Sequence, residues 1–250
     1  MSGISVRHDF DVPRDRVVPV TGADIVRDPG PHPYEREFLA AIEADWTTQL
    51  SANPSLFDGQ VCLMSALSLR PDGMLNGHCH MVRFATFLHW RKNRPVAGAE
   101  HLFAHAMPIS SDGALIAIRM AANTANPRRV YFAAGSFDGN DFDQRALNVE
   151  ANMRREVREE TGLDLADARQ ERGYGLYSQD SLTVIAKRYR FNETADTLAG
   201  AIDRHIATDP DPEIEEPVII RQGAALPAGL MPHMPHLIDW HFTNPVHASS

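Results

Sequence analysis

Three glutamates near the middle of the chain are spaced so that they could bind one metal ion. Glu156, Glu159 and Glu160 lie in the stretch REVREETGL, residues 155–163. On an α-helix, positions i, i+3 and i+4 share one face, so the three carboxylates point the same way. They repel one another, and the helix dipole disfavours negative charge in the last turns of a helix. A hard divalent cation such as Mg²⁺ would offset this repulsion. The simpler alternative is a solvated, charged helix end.

The longer pattern resembles the signature of the Nudix hydrolase family. REVREETGL matches the second half of that signature, REUxEExGU, where U is a bulky aliphatic residue, at every specified position. The surrounding elements fit as well. The strand-like RVYFAAG ends at Gly135, and a polar loop follows. We expect the next helix to begin near Leu147 or Asn148 and to end at Gly162, a residue typical of the position after a helix.

The first half of the family signature is not matched. Counting back from Arg155, the signature glutamate falls at Leu147 and the signature glycine at Asp141. If Gly135 is the signature glycine, Arg155 follows it by 20 residues instead of the family's 14, so the loop is 6 residues longer. Long loops cost little free energy, so the fold is not threatened.

The resemblance implies a metal site and a set of catalytic residues. The implied metal is Mg²⁺, with Mn²⁺ as the alternative. Its implied ligands are Glu156, Glu159, Glu160 and, from the acidic stretch before the last core strand, Glu213. The implied catalytic residues are Glu159, Glu156 and Arg155, the last through a salt bridge that orients the glutamates. Either Glu213 or Glu150 would replace the carboxylate missing at Leu147.

A substrate diphosphate also needs cations and an apolar surface beside the metal. Arg119 and Arg129 flank the strands that lead into the loop, and Gly135 would let the backbone approach a phosphate closely. Phe137 could stack on a base, with Tyr131 and Phe142 as alternatives. We therefore predict that Gly135, Arg119, Arg129 and Phe137 bind the substrate.

The activity that the resemblance implies is hydrolysis of a diphosphate linkage. The substrate would be a small nucleoside diphosphate-linked compound: a nucleotide sugar, or an ADP-ribose-like or coenzyme A-like molecule. Leu147 supports an alternative, a catalytically weak or inactive Nudix domain that senses a nucleotide. An isomerase on the same fold is a third possibility, although no arrangement of Cys and Glu suggests one.

Composition restricts the partners. The net charge is −9 and the sequence pI is near 5.7, so nucleic acid and anionic membranes are not expected as partners. Only two cysteines occur, Cys62 and Cys79, and no secretory signal is visible, which favours a cytoplasmic protein.

The HCH run from His78 to His80 could contribute to a zinc site, but no second close Cys/His pair accompanies it.

The periodicity of the chain predicts a mixed α/β (α+β) protein. Helical spacing covers residues 35–50, and the stretch 81–95 also predicts a helix, ended by Pro95. The apolar runs HLFAHAMPIS and ALIAIRMA, separated by Ser-Asp-Gly, predict a hairpin.

The resemblance implies a Nudix-type mixed sheet flanked by helices, an α/β/α sandwich. We expect an N-terminal extension packed on or continuous with the core (1–95), the Nudix domain (96–228), and a tail or short helix (229–250). Nudix proteins are often dimers, so a homodimer is expected.

Overall fold

The structure is a computed structural model that describes residues 10–54 and 56–244. Within these ranges it has five α-helices: α1 (Pro33–Ala52), α2 (Phe84–Asn93), α3 (Val149–Thr161), α4 (Ala195–Thr208) and α5 (Met234–Thr243). None of these helices is both long enough and apolar enough to cross a membrane.

The same ranges contain fourteen strands, most of them short. They are β1 (Phe10–Asp11), β2 (Val18–Val20), β3 (Gly22–Arg27), β4 (Gln60–Leu69), β5 (Met74–Arg83), β6 (His101–Ile109), β7 (Leu115–Met120), β8 (Val130–Tyr131), β9 (Phe142–Asp143), β10 (Ala146–Leu147), β11 (Arg169–Gln170), β12 (Tyr174–Gln179), β13 (Leu182–Arg190) and β14 (Ile214–Ile220).

The larger sheet has eight strands and carries the helix with the three glutamates. Its main order is β14-β7-β6-β13-β12-β2, with β8 added on β7 and β11 on β13. β6 and β13 are parallel over nine residue pairs, from Leu182 beside His101 to Arg190 beside Ile109, and the other pairs are antiparallel. α3 packs on β6, and α4 packs on β14 and α3. The sheet is therefore mixed, as the sequence predicts.

The N-terminal part of the chain forms most of a second, six-stranded sheet. Its order is β1-β4-β5-β3-β10-β9, so two short strands from the loop before α3 complete its edge. β2, in contrast, joins the larger sheet beside β12. Arg14 adds an ion pair to the buried Glu100, with 2.6 Å between Nη2 and Oε1. Residues 10–54 and 56–95 thus contribute strands to both sheets.

Two apolar clusters hold the molecule together. The larger includes Ile25 and Leu67 from the six-stranded sheet together with Ile116 and Val184 from the eight-stranded sheet, so one core is common to both sheets. The smaller lies between α1, α2 and β4 and is centred on Trp90, whose indole N–H donates to the carbonyl of Ala99. Burial of this apolar surface is the main force that fixes α2 against the sheet.

The predicted helix ends before and after the three glutamates are confirmed. The Asn148 side chain accepts a hydrogen bond from the Ala151 N–H at 3.0 Å and so caps α3. Gly162 ends the helix with φ of 70°, a left-handed conformation that glycine adopts at little cost.

The other predicted elements are largely confirmed as well. The hairpin of β6 and β7 is present, and the short final helix is α5. The helix predicted over residues 81–95 is too long at its start, because residues 81–83 continue β5 and pair with β4; α2 begins at Phe84. The apolar periodicity of this stretch does not distinguish the strand from the helix.

If one core serves both sheets, a cavity in the six-stranded sheet must destabilise the whole chain. Leu67 is 1% exposed, and Leu67→Ala should lower the free energy of unfolding by about 2–4 kcal/mol. We expect one urea transition, at the same midpoint by fluorescence and by circular dichroism. Leu39→Ala, at a side chain that is 52% exposed, is the control and should change stability little. Two separate transitions would show that the sheets unfold independently.

Candidate functional site

The three glutamates of α3 lie in different surroundings although they share one face. Glu156 is 8% exposed, whereas the Glu159 side chain is 62% exposed. The Glu160 carboxylate accepts a hydrogen bond from the backbone N–H of Ala134 at 3.1 Å. Glu160 is thus held against the segment that follows β8, and Glu159 projects towards solvent.

Arg155 is placed among four carboxylates. Its Nη1 lies 2.6 Å from Glu156 Oε1 and 3.3 Å from Glu159 Oε2. Its Nη2 lies 3.1 Å from both carboxylate oxygens of Asp141 and 4.0 Å from Asp138. The arginine therefore connects the loop before α3 to two of the three glutamates, which is the orienting geometry that the resemblance implies for it.

Asp141 is a site residue that the sequence analysis did not assign. It is 2% exposed and accepts hydrogen bonds from the Asn152 side chain and from the backbone N–H of Asp138. With Asp138 it forms the capping box of a short 3₁₀ helix, Gly139–Asp141. The sequence signal was the pair of aspartates three residues apart, a capping pattern like that of a helix N-terminus. The inserted loop is therefore ordered, and it supplies the carboxylate that holds Arg155.

Gly135 is required because Glu156 packs directly against it. A Cβ atom at position 135 would overlap the Glu156 carboxylate. The close approach that we predicted for this glycine thus exists, but with the Glu156 side chain rather than with a phosphate. Any side chain at 135 would displace Glu156 from its place beside Arg155.

The glutamates line a cavity of about 250 Å³ that we call the acidic cavity. Its walls come from α3, from the end of α4 and from the segment that leads into β14. Six carboxylates line it, from Glu156, Glu159, Glu160, Asp209, Asp211 and Glu213. The structure thus brings Glu213 to the glutamates of α3 even though more than 50 residues separate them in the sequence.

Burial and mutual repulsion raise the pKa values of the inner carboxyls. Burial raises the pKa of Glu156 to about 7; Arg155 opposes this rise, and the charges of Glu159 and Asp141 add to it. Burial also raises the pKa of Glu160 well above its ordinary value, with further contributions from Glu156 and Glu213. Without a cation in the cavity, the ionised site therefore costs free energy.

The donor set fits a hard divalent cation in its chemistry, although the ligands are not assembled around one point. Carboxylate oxygens are the ligands that Mg²⁺ prefers. Within residues 10–54 and 56–244, however, no three His, Cys, Asp or Glu side chains form a ready-made metal site. Arg155 already pairs with Glu156 and Glu159, so a bound ion would compete with the arginine for these two carboxylates.

A second cavity of about 320 Å³ adjoins the first, and we call it the aromatic cavity. Glu156, Glu160 and Glu213 line both cavities. Rings form much of the remaining wall, from Phe84, Phe87, Trp90, His101, Phe103, His105, Tyr131 and His233. Arg91 and Arg94 line it as well. Most of these residues belong to α2 and β6, and α2 lies outside the predicted Nudix domain.

Three of the four predicted substrate-binding residues line neither cavity, and their binding of substrate stays a prediction. Phe137 is fully buried in the larger core, so it has no face to offer a base. Arg119 pairs with Glu216 at 2.7 Å and donates to backbone carbonyls, which fixes it to β14. Arg129 is exposed and lines neither cavity. Of the four, Gly135 alone lines the aromatic cavity.

Of the two residues that could replace the missing signature glutamate, Glu213 lines the cavities and Glu150 does not. Glu150 lines neither cavity, because it pairs with the buried Lys187 and accepts a hydrogen bond from the Tyr174 hydroxyl at 3.0 Å. Leu147 is itself buried in the core, at the end of β10. Glu213 lines both cavities, so it is the carboxylate in reach of the site.

The histidines of β5 form no part of the site. His78 lies 3.0 Å from Asp28, and the ring of His80 lies 3.1 Å from the carbonyl oxygen of Gly30. Neither residue lines the acidic or the aromatic cavity. The zinc alternative gains no support, because the part of the chain that is described holds no ready-made metal group.

Known structures with a similar fold are mostly Nudix proteins. A MutT/Nudix family protein from Listeria innocua is 15% identical, with a TM-score of 0.40 over 57% of this chain and 92% of that one. A Nudix hydrolase from Nitrosomonas europaea is 13% identical, with a TM-score of 0.38 over 58% of this chain and 73% of that one. Another Nudix hydrolase, from M. smegmatis, is 14% identical, with a TM-score of 0.38 over 62% of this chain and 95% of that one.

Neither a family model nor a curated protein matches the sequence. The TM-scores of these three structures are all below 0.5, so their likeness to this chain says nothing about its activity. The fold class, mixed sheets flanked by helices, is established by the structure itself.

Asp141 should be essential for the order of the site. Asp141→Ala removes the acceptor for Arg155, Asn152 and the Asp138 N–H, and we expect it to lower the free energy of unfolding by about 3–5 kcal/mol. Asp143→Ala, at an exposed position of the same loop, is the matched control. Equal urea midpoints for the two variants would contradict the role given to Asp141.

The repulsion among the inner carboxylates should be measurable as lost stability. At a pH high enough to ionise Glu160, Glu160→Gln keeps an oxygen for the Ala134 N–H but removes a half-buried charge. In EDTA we expect its melting temperature to rise by about 2–4 °C for each kcal/mol of repulsion removed. Glu159→Gln, at the exposed member of the set, should give a smaller rise, because the charge it removes is screened by solvent and also pairs with Arg155. A lower melting temperature for Glu160→Gln than for wild type would refute this account.

Proposed function

We propose that the protein is a Mg²⁺-dependent hydrolase of the Nudix type, which cleaves the diphosphate linkage of a nucleoside diphosphate-linked compound. The observation that carries the proposal is the junction of the two cavities. An acidic cavity suited to a divalent cation adjoins an aromatic cavity suited to a ring, and Glu156, Glu160 and Glu213 belong to both. A molecule that has a diphosphate at one end and a base at the other fits this arrangement.

Each part of the site has a role in this reaction. The carboxylates that would hold the ion are Glu156, Glu159, Glu160 and Glu213, with Mn²⁺ as the alternative to Mg²⁺. When bound, the ion would neutralise charge on the non-bridging phosphate oxygens. Arg155 keeps Glu156 and Glu159 in place, and Asp141 keeps Arg155 in place. Either Glu159 or Glu156 would accept the proton of the attacking water.

The decisive experiment is a panel of diphosphate substrates. Nucleotide sugars, ADP-ribose and coenzyme A, each with Mg²⁺, should include at least one that the wild type hydrolyses. Glu159→Gln and Glu160→Gln should lower kcat for that compound by at least about 100-fold, because each removes a charge that holds the ion. The exposed Glu37→Gln is the control and should keep full turnover. Wild-type turnover in either site variant would disprove the metal-site assignment.

A nucleotide sensor is the second candidate, and two observations favour it. Leu147 replaces a signature glutamate and is buried in the core. The glutamates are also not assembled as a metal site within the described ranges. The sensor predicts that calorimetry in EDTA detects nucleotide binding while no product forms after Mg²⁺ is added. Metal-dependent turnover of any compound in the panel would reject it.

A further inference from the structure

The aromatic cavity has two arginines in its wall, both at the end of α2. Arg91 and Arg94 are the Arg or Lys residues that line it within the described part of the chain. Neither has a carboxylate oxygen within 4.0 Å among the described residues. Arg94 Nη1 is buried and has no hydrogen-bond partner. A cavity wall that carries two guanidinium groups without a paired carboxylate is suited to an anion.

The environment of the pair is unfavourable for positive charge. Burial lowers the pKa of Arg94 and the charge of Arg91 lowers it further, whereas the charge of Asp180 raises it. Arg91 Nη2 reaches only the Ala125 carbonyl and Asn126 Oδ1, each at the long distance of 3.5 Å. Both arginines are at the end of α2, which the smaller apolar cluster fixes in position. The fold thus places two guanidinium groups close together in the cavity wall, and the hydrogen bonds of Arg91 are long.

The rings beside the arginines add no positive charge. Burial lowers the pKa of His101 to about 3 and that of His233 to about 4. His105 and His233 share a hydrogen bond of 2.8 Å between their Nε2 atoms, which requires a donor on one ring and an acceptor on the other. The histidines are therefore neutral, flat and polar, and the arginines alone give this part of the cavity its charge.

The rings are ordered so that they form a continuous wall. Phe87, His101, Phe103 and His105 follow one another with centroid distances of 4.8, 5.2 and 5.3 Å. His101 and Phe103 are stacked, while Phe103 and His105 meet edge to face. Such a wall favours a planar ring that can stack on it or meet it at an edge.

A short path of side chains links the arginines to the glutamates. Arg91 reaches Asn126, and Asn126 Nδ2 donates to the Tyr131 hydroxyl at 3.5 Å. Tyr131 also lines the aromatic cavity, and its pKa is raised by burial and then by the charges of Glu160 and Glu213. Positive and negative groups thus line the same cavity as Tyr131.

We propose that Arg91 and Arg94 form an anion-binding subsite for a nucleoside diphosphate, whose base lies on the ring wall of β6. This inference rests on the proposed function in taking the ligand to be a nucleoside diphosphate. It adds that the N-terminal segment completes the binding site. It also adds that binding itself does not need the divalent ion, because the two guanidinium groups supply the cation–anion contacts.

The test is equilibrium binding in EDTA, with ADP, GDP, UDP and CDP as probes and calorimetry as the measurement. At least one of them should bind the wild type, and the corresponding nucleoside should bind at least about tenfold more weakly, since it lacks the anion. Arg94→Ala and Arg91→Ala should each weaken binding of that diphosphate by about tenfold or more. Lys92→Ala is the matched control on the same helix, because Lys92 pairs with Asp45 outside the cavity.

The outcomes separate this inference from the proposed function. If none of the four diphosphates binds, or if binding survives in both arginine variants, the subsite is refuted whatever the hydrolysis assay shows. If binding depends on the arginines but no compound is hydrolysed with Mg²⁺, the subsite stands and the hydrolase proposal fails. Should Arg94→Ala not fold, as judged by circular dichroism, Arg91→Ala decides the question alone, because its side chain is exposed.

Discussion

The site depends on one constraint, the crowding of carboxylates at the end of α3. Glu156 is buried, Glu160 is half-buried one helical turn away, and Glu213 adds a third negative charge to the same cavity. Burial makes this repulsion stronger than it would be in water. Arg155 offsets part of it at Glu156 but makes no ion pair with Glu160 in the described structure. The remaining repulsion is what makes a divalent cation the natural complement of the site.

The position of Arg155 depends in turn on the loop before α3. That loop is longer than the family spacing, and its extra residues form a 3₁₀ turn and two short strands. The strands extend the six-stranded sheet, and the turn places Asp141 beneath the arginine. The insertion therefore joins the N-terminal sheet to the site. The N-terminal segment supplies α2 as well, so both sides of the aromatic cavity depend on residues outside the predicted Nudix domain.

Local sequence patterns predicted the parts of the structure that local forces decide. Helical spacing, an asparagine cap and a terminal glycine fixed α3, since hydrogen bonds and backbone preference act within a few residues. The three glutamates were found because their spacing places them on one face. Local patterns could not place residues whose partners are distant in sequence. Phe137 is an aromatic residue in a polar loop, but β4 lies over it and buries it. Arg119 lies beside the site in sequence but is held by Glu216 on the adjacent strand.

The sequence by itself determined the acidic face of α3, the mixed character of the sheets and the resemblance to Nudix hydrolases. Only the tertiary structure decided which other residues reach that face. Glu213 arrives through the pairing of β14 with β7, and Asp141 through the folded loop. Arg91 and Arg94 arrive because α2 packs beside β4 and β5. Charge and spacing can be seen along the chain, whereas proximity depends on burial and strand pairing between residues far apart in it.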